Sequence, residues 1–248
     1  MDLTTVPLYT NQLLDSLPAE DRKRFLADCD TVNLAFGQVL AEPGEQILHV
    51  YFPIGCLISL IVSLERNSRL EVSMAGNEGM LGISLMLGAQ ASPLQALVQG
   101  AGPVLRMSSA GFLDHLQRSP ALEGVLKRYL NGLLGQVTQS AACAHFHVVE
   151  ARLARWLLMT HDRTHGDQLH LTHEFLSSML GVRRAGVTRA ASELQVRGLI
   201  DYQRGHITVN DRRGLEQASC RCYADDLVRA EAPDHFQHFA HTDQSFIR

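Results

Sequence analysis

Three textures of apolar and polar positions follow one another along the chain. From Asn11 to Cys29 (NQLLDSLPAEDRKRFLADC), Leu13, Leu14, Leu17, Phe25 and Leu26 fall at helical spacing. This predicts a short helical lead-in whose second helix opens at Pro18, because proline's fixed φ and missing N–H suit a first helical turn. From Val32 to Met107 the apolar runs shorten to VNLAF, ILHVYF, CLISLIVSL, LEVSM, LQALVQ and PVLRM, separated by PGE, PIG, ERNS, AGNEG and GAGP. Short runs broken by Gly and Pro predict an antiparallel sandwich or barrel. After Ser108 the apolar period lengthens from two to about 3.6, so helices follow.

Between Pro120 and His147 (PALEGVLKRYLNGLLGQVTQSAACAHFH), Leu126, Leu130, Leu133 and Val137 form one stripe beside Leu122 and Tyr129. A helix with so apolar a seam can bury it against its own domain or against a second copy. The expectation is a dimerisation helix, with Leu126, Tyr129, Leu130, Leu133 and Val137 meeting the partner. VVEARLARWLLMTHDR then gives another helix with Val149, Leu153, Trp156 and Leu157 on its apolar face.

The segment LHLTHEFLSSMLGVRRAGVTRAASELQVRGLIDYQRGHITVND carries the chemistry. Thr172 is a good N-cap and Glu174 suits the positive end of a helix dipole, so THEFLSSML reads as a helix. Gly181 turns the chain into a second helix, VRRAGVTRAASELQVRG, closed by Gly198. IDYQRGHITVN reads as a hairpin wing around Arg204-Gly205. Long guanidinium side chains at the front of a protruding helix suit guanine edges and phosphates in a major groove. The expected DNA contacts are Arg183, to a phosphate, with Arg184, Ala185, Thr188 and Arg189 on the helix and Arg204 on the wing. From Arg183 to Arg213 there are seven basic and three acidic residues, seven minus three giving +4 inside a chain of net charge −4.

Composition narrows the alternatives. A length of 248 residues favours two domains. The net charge of −4 argues against a protein that coats nucleic acid over its whole surface and leaves room for a local basic face. Five scattered cysteines behind a polar N-terminus predict a cytoplasmic chain with reduced thiols. The apolar run Ile54 to Leu64 is about half a bilayer span, so no membrane association is expected. No nucleophile elbow, P-loop or HExxH motif is present, and the chain is read as no enzyme. Neither the paired histidines, including His161 with His165 and His235 with His238 and His241, nor Cys220 and Cys222 in SCRCY are assigned a metal or cofactor; Arg221 beside the two thiols leaves a redox role conceivable.

One stretch poses a separate question. NEGMLGISLMLGAQASPLQALVQG, Asn77 to Gly100, has the glycines of a loop that closes backbone amides around an anion, yet it holds no Lys or Arg.

The arrangement of β-rich N-terminal half, long apolar helix and helix pair with wing resembles the Crp/Fnr family of bacterial transcription regulators, strongly from Val148 to Tyr223 and more weakly from Leu14 to Arg118. The resemblance implies an α+β chain: a jelly-roll sensor domain with a cyclic-nucleotide-binding-like fold (1–118), a dimerisation helix (119–146), a winged helix-turn-helix (147–226) and a tail (227–248). It implies a homodimer on a palindromic operator, with double-stranded DNA, a second copy of the chain, an unknown effector and, for an activator, RNA polymerase as partners. The family's base-contacting positions fall on Arg184, Ala185 and Arg189; Ala185 stands where well-known members have an acidic residue, so a different target sequence is expected. Members that bind cyclic nucleotides hold the ribose with a Glu and the phosphate with an Arg. Aligning Gly82 and Ala96 with that cassette puts Ile83 and Leu94 at those two positions, with Gln95 between Leu94 and Ala96, so Gly82, Ile83, Leu94, Gln95 and Ala96 form a degenerate effector pocket unsuited to cyclic AMP in the usual manner. The iron–sulfur branch needs an N-terminal cysteine cluster that Cys29 and Cys56 do not make. The alternative is a small-molecule or redox-responsive binding module whose helix pair is a protein interface.

Overall fold

The computed structural model describes residues 10–64, 68–164 and 168–231. His165, His235, His238 and His241 lie outside them.

The lead-in forms α1 (Gln12–Asp15) and α2 (Ala19–Ala27), with Pro18 as the N-cap of α2. Asn11 anchors it: its Nδ2 donates to the carbonyls of Pro53 and Gly79 at 3.0 and 2.9 Å. The β half contains β1 (Asp30–Leu34), β2 (Val39–Ala41), β3 (His49–Pro53), β4 (Leu57–Ser63), β5 (Arg69–Ala75), β6 (Gln95–Gly100) and β7 (Gly102–Ser108). They form two antiparallel sheets, ordered β1-β7-β3 and β2-β6-β4-β5. Leu34, Ile58, Leu60, Ala96, Val98 and Val104 meet between the sheets as the sandwich core.

The run CLISLIVSL becomes β4, whose first five residues are all buried. It lacks alternation because both faces are covered. Ile58 and Leu60 point into the sandwich, while Leu57 and Ile61 join the core of the C-terminal half. A strand sealed on both faces reads as continuous apolar sequence.

The helical half begins with α3 (Ser109–Arg118) and α4 (Pro120–Phe146). Ser119 caps α4 by accepting from the Leu122 N–H at 3.2 Å, and Pro120 occupies its first turn. The first third of α4 packs on its own β domain, where Leu122, Val125 and Leu126 join Phe25, Phe52 and Phe112. Two expected dimer contacts are corrected by this packing. Leu126 is fully buried within its own chain, and Tyr129 turns inward to donate its hydroxyl to the Met80 carbonyl at 3.1 Å. Leu130 and Leu133 are half-buried, whereas Val137 and Leu134 are exposed, so the outward stripe lies farther along the helix.

The remainder is α5 (Val149–Thr164), β8 (Gln168–His170), α6 (His173–Leu180), α7 (Arg184–Val196), β9 (Ile200–Gln203), β10 (His206–Val209), α8 (Arg212–Ala218) and α9 (Cys222–Glu231). The boundary expected at 226 falls inside α9, because the register of that helix continues to Glu231.

Candidate nucleic-acid interface and sensor cavity

Local rules build the helix pair. Thr172 accepts from the Phe175 N–H at 3.1 Å and so caps α6. Gly181 ends α6 with φ of 62°, and a Cβ there would come within 3.0 Å of the Leu70 side chain on β5. Only glycine combines that dihedral with that approach. The turn holds Val182 as well: its N–H donates back to the Ser177 carbonyl at 3.0 Å, so α7 begins at Arg184, later than the sequence suggests, with Arg183 as N-cap.

The two faces of α7 separate cleanly. Val187, Ala190, Ala191 and Leu194 are buried against α5 and α6. Arg183, Arg184, Ala185, Thr188 and Arg189 are all exposed. Among the described residues, Arg183, Arg184 and Arg204 have no acidic partner, whereas the Arg189 Nε donates to Glu193 at 3.0 Å on the same helix. Arg204 sits at the tip of the β9–β10 hairpin with φ of 48°, followed by Gly205 at 85°. Two successive positive φ values are those of a type I′ turn, which matches the twist of paired strands. β8 completes this sheet in the order β8-β10-β9; a strand so short carries no clear periodic signal in the sequence.

A support beneath the exposed face went unseen in the sequence. His173 stacks on Tyr202 with ring centroids 4.2 Å apart, and its Nδ1 lies 3.0 Å from the Thr188 hydroxyl. Burial, then the Arg184 charge, push the imidazole below its ordinary value, which favours the neutral ring. The local charge balance also needs correction. Arg197 pairs with Glu150 at 2.7 Å, and Arg212 pairs with Asp162 at 2.7 Å while donating to the Tyr223 hydroxyl. These two arginines tie α7 and α8 to α5.

In the β domain a cavity of about 510 Å³ opens between the sheets and α4. Its wall includes Leu40, Ile47, Tyr51, Leu60, Leu81, Gly82, Ile83, Leu94 and, from α4, Leu133; Glu45, His49 and Tyr51 are titratable groups on it, and among the described residues no Arg or Lys lines it. Gly82 has φ of 98°, and a Cβ there would meet Val50 at 2.9 Å. Three of the five residues assigned to an effector pocket, Gly82, Ile83 and Leu94, line this space. Gln95 and Ala96 do not: Gln95 points to the other face of β6 and donates to the Glu42 carboxylate at 2.9 Å, while Ala96 is sealed in the sandwich core.

A family model described as the Crp-like helix-turn-helix domain matches residues 151–218. Those residues are a Crp-like helix-turn-helix domain. No curated protein matches the chain in sequence. Solved structures similar to it include a proposed Crp/Fnr-family transcriptional regulator from Eubacterium rectale, at 16% identity and TM-score 0.66, covering 83% of this chain and 96% of that one. The c-di-GMP-responsive global regulator CLP of Xanthomonas campestris matches at 19% identity and TM-score 0.64, covering 77% of this chain and 99% of its own. A Crp/Fnr-family transcriptional regulator from Thermus thermophilus matches at 20% identity and TM-score 0.63, covering 77% and 98%. The fold is therefore that of Crp/Fnr-type transcription regulators, an α+β arrangement of a cyclic-nucleotide-binding-like domain, a long helix and a helix-turn-helix. No helix among the described residues is long and apolar enough to cross a membrane.

The Crp-like domain is joined to the β domain through α5 and β5. Trp156 Nε1 donates to Glu71 Oε1 at 2.8 Å, and Arg163 Nε donates to Glu78 Oε1 at 2.7 Å. Leu57, Ile61 and Met74 from the β sheet pack into the same core as Leu153, Leu157 and Leu176. Burial pushes the Glu71 carboxyl up to about 7, and among the described residues its Oε2 has no hydrogen-bond partner. None of this was legible beforehand, because Glu71 and Trp156 stand 85 residues apart.

Proposed function

We propose that the protein is a sequence-specific transcription regulator that binds a palindromic operator as a homodimer. The observation that carries this reading is the exposed face of α7, where Arg184, Ala185, Thr188 and Arg189 project from a helix whose opposite face is buried. Arg184 and Arg189 read base edges, Ala185 offers a thymine methyl an apolar contact, and Arg183 and Arg204 take phosphates. Two copies meet along α4 through the stripe that includes Leu130, Leu134 and Val137. The cavity takes an effector that is apolar and carries no phosphate, since no Lys or Arg among the described residues lines it to hold one. Because Leu133 lines the cavity from α4, occupancy changes the packing of the helix that sets the spacing of the two Crp-like domains.

A footprint of the purified protein on promoter DNA from its own genome tests this. Two protected half-sites about one helical turn apart are expected. Protection of a single asymmetric patch overturns the dimeric reading, and binding that barely changes with salt overturns the DNA reading itself.

A further inference from the structure

Four metal-ligating side chains from two separate segments converge outside both the cavity and the face of α7. Cys143 lies in the last turn of α4, His147 caps that helix where it joins α5, and Cys220 and Cys222 flank the turn between α8 and α9. Their ligand atoms, three Sγ and one imidazole nitrogen, all lie within 4.8 Å of one another. Cys143 Sγ is 3.5 Å from Cys220 Sγ, and Cys222 Sγ is 3.5 Å from His147 Nδ1. Tetrahedral zinc with Zn–S of about 2.3 Å and Zn–N of about 2.0 Å places sulfur pairs about 3.8 Å apart and sulfur–nitrogen pairs about 3.5 Å apart. The sulfur separation is too long for the roughly 2.05 Å bond of a disulfide.

The surroundings suit a thiolate-rich ion. The three cysteines are buried, and the Gln139 amide donates to Cys222 Sγ at 2.9 Å, orienting a ligand sulfur as second-layer donors do around metals. Three thiolates and a divalent cation leave one net negative charge, and Arg152 and Arg155 line the same cleft as Cys143. The tight spread of the four atoms matches a single ion.

We propose that Cys143, His147, Cys220 and Cys222 bind one zinc-class divalent cation, which fastens the α8–α9 turn of the DNA-binding half to the joint between α4 and α5. On binding, each thiol releases its proton and the sulfur lone pair coordinates the metal, with no change of oxidation state. The ion thereby fixes the angle at which the Crp-like domain hangs from α4.

The test is cobalt titration of the full-length, reduced, metal-stripped protein, followed by elemental analysis of protein loaded with zinc. About one ion per chain is expected, with thiolate-to-cobalt charge-transfer absorption and the visible bands of a tetrahedral site. Cys222→Ser should lose most of that absorption, the ligand-conserving His147→Cys should keep it, and Cys56→Ser, at a buried thiol elsewhere, should match the parent chain. Zinc should raise the melting temperature of the parent and of Cys56→Ser but not of Cys222→Ser. Substoichiometric cobalt in the parent chain, or unchanged absorption in Cys222→Ser, overturns the proposal. So does a Cys143–Cys220 disulfide found in protein isolated without reductant. Should Cys222→Ser fail to fold, the parent stoichiometry and the His147→Cys spectrum still decide.

Discussion

The exposed face of α7 and the cavity of the β domain use side chains in opposite ways. Under α7 the interior is filled, and charge stands outside on Arg183, Arg184 and Arg189. In the β domain the interior keeps about 510 Å³ of space, and among the described residues no Lys or Arg lines it. A surface that reads DNA gains from fixed charge on a rigid base, because phosphate and base contacts need a helix that does not shift. A sensing site needs space and an element that responds to its filling, the part the proposed function gives to Leu133 on α4. One chain thus concentrates packing under α7 and withholds it in the β domain.

The strongest test of that contrast is core truncation. Leu157→Ala removes a fully buried side chain from the core shared by α5, β4 and α7, and should lower stability by about 2 to 5 kcal/mol in urea denaturation. A loss near zero would mean that the C-terminal half is no better filled than the β domain.

The joint between the two regions gives the next effect. Because burial raises the Glu71 carboxyl from 4.5 to about 7, the folded state favours its protonated form. Its contribution is complete below about pH 4.5 and is lost as pH rises through about 7, amounting to at most roughly 3 kcal/mol. Glu71→Gln keeps an acceptor for Trp156 and should flatten this part of the stability–pH profile. An unchanged profile would place the titration elsewhere.

On the DNA-facing side, Arg184→Ala should weaken specific operator binding by about 1 to 3 kcal/mol while leaving the melting temperature nearly unchanged. An equal loss on all sequences, measured by fluorescence anisotropy, would move Arg184 from base reading to phosphate contact. The smallest effect is expected at the cavity, where Leu94→Ala should cost roughly 1 kcal/mol or less, since this half-buried residue already borders open space. A cost equal to that of Leu157→Ala would show the cavity wall to be as constrained as the core.

Much of the DNA-facing site was legible because its signals are local. The Thr172 cap, the Gly181 turn, the inward register of Val187 and Ala190 and the Arg204-Gly205 hairpin each depend on residues a few positions apart. Leu126 and Tyr129 were misplaced for a related reason: helical periodicity shows that a stripe is apolar but not which surface covers it. Gln95 was misplaced because strand alternation turns it from the face that Leu94 takes, and Ala96 because the sandwich core covers it. Cys143 and His147, four residues apart at a helix end, and the Cys220–Cys222 pair did carry ligand spacing, but the two halves stand 77 residues apart between Cys143 and Cys220.

Residue order alone was enough to separate a β half from a helical half, to place the turn and caps of the helix pair, and to reveal the missing cation in the stretch Asn77 to Gly100. These follow from dihedral preferences, short-range hydrogen bonds and the presence or absence of charge. Three other features needed the folded chain: which face of α4 is already covered, that Glu71 lies buried under Trp156, and that Cys143, His147, Cys220 and Cys222 meet. Each of these depends on segments distant in the chain being brought together by a common core, and periodicity within one segment does not encode its neighbour.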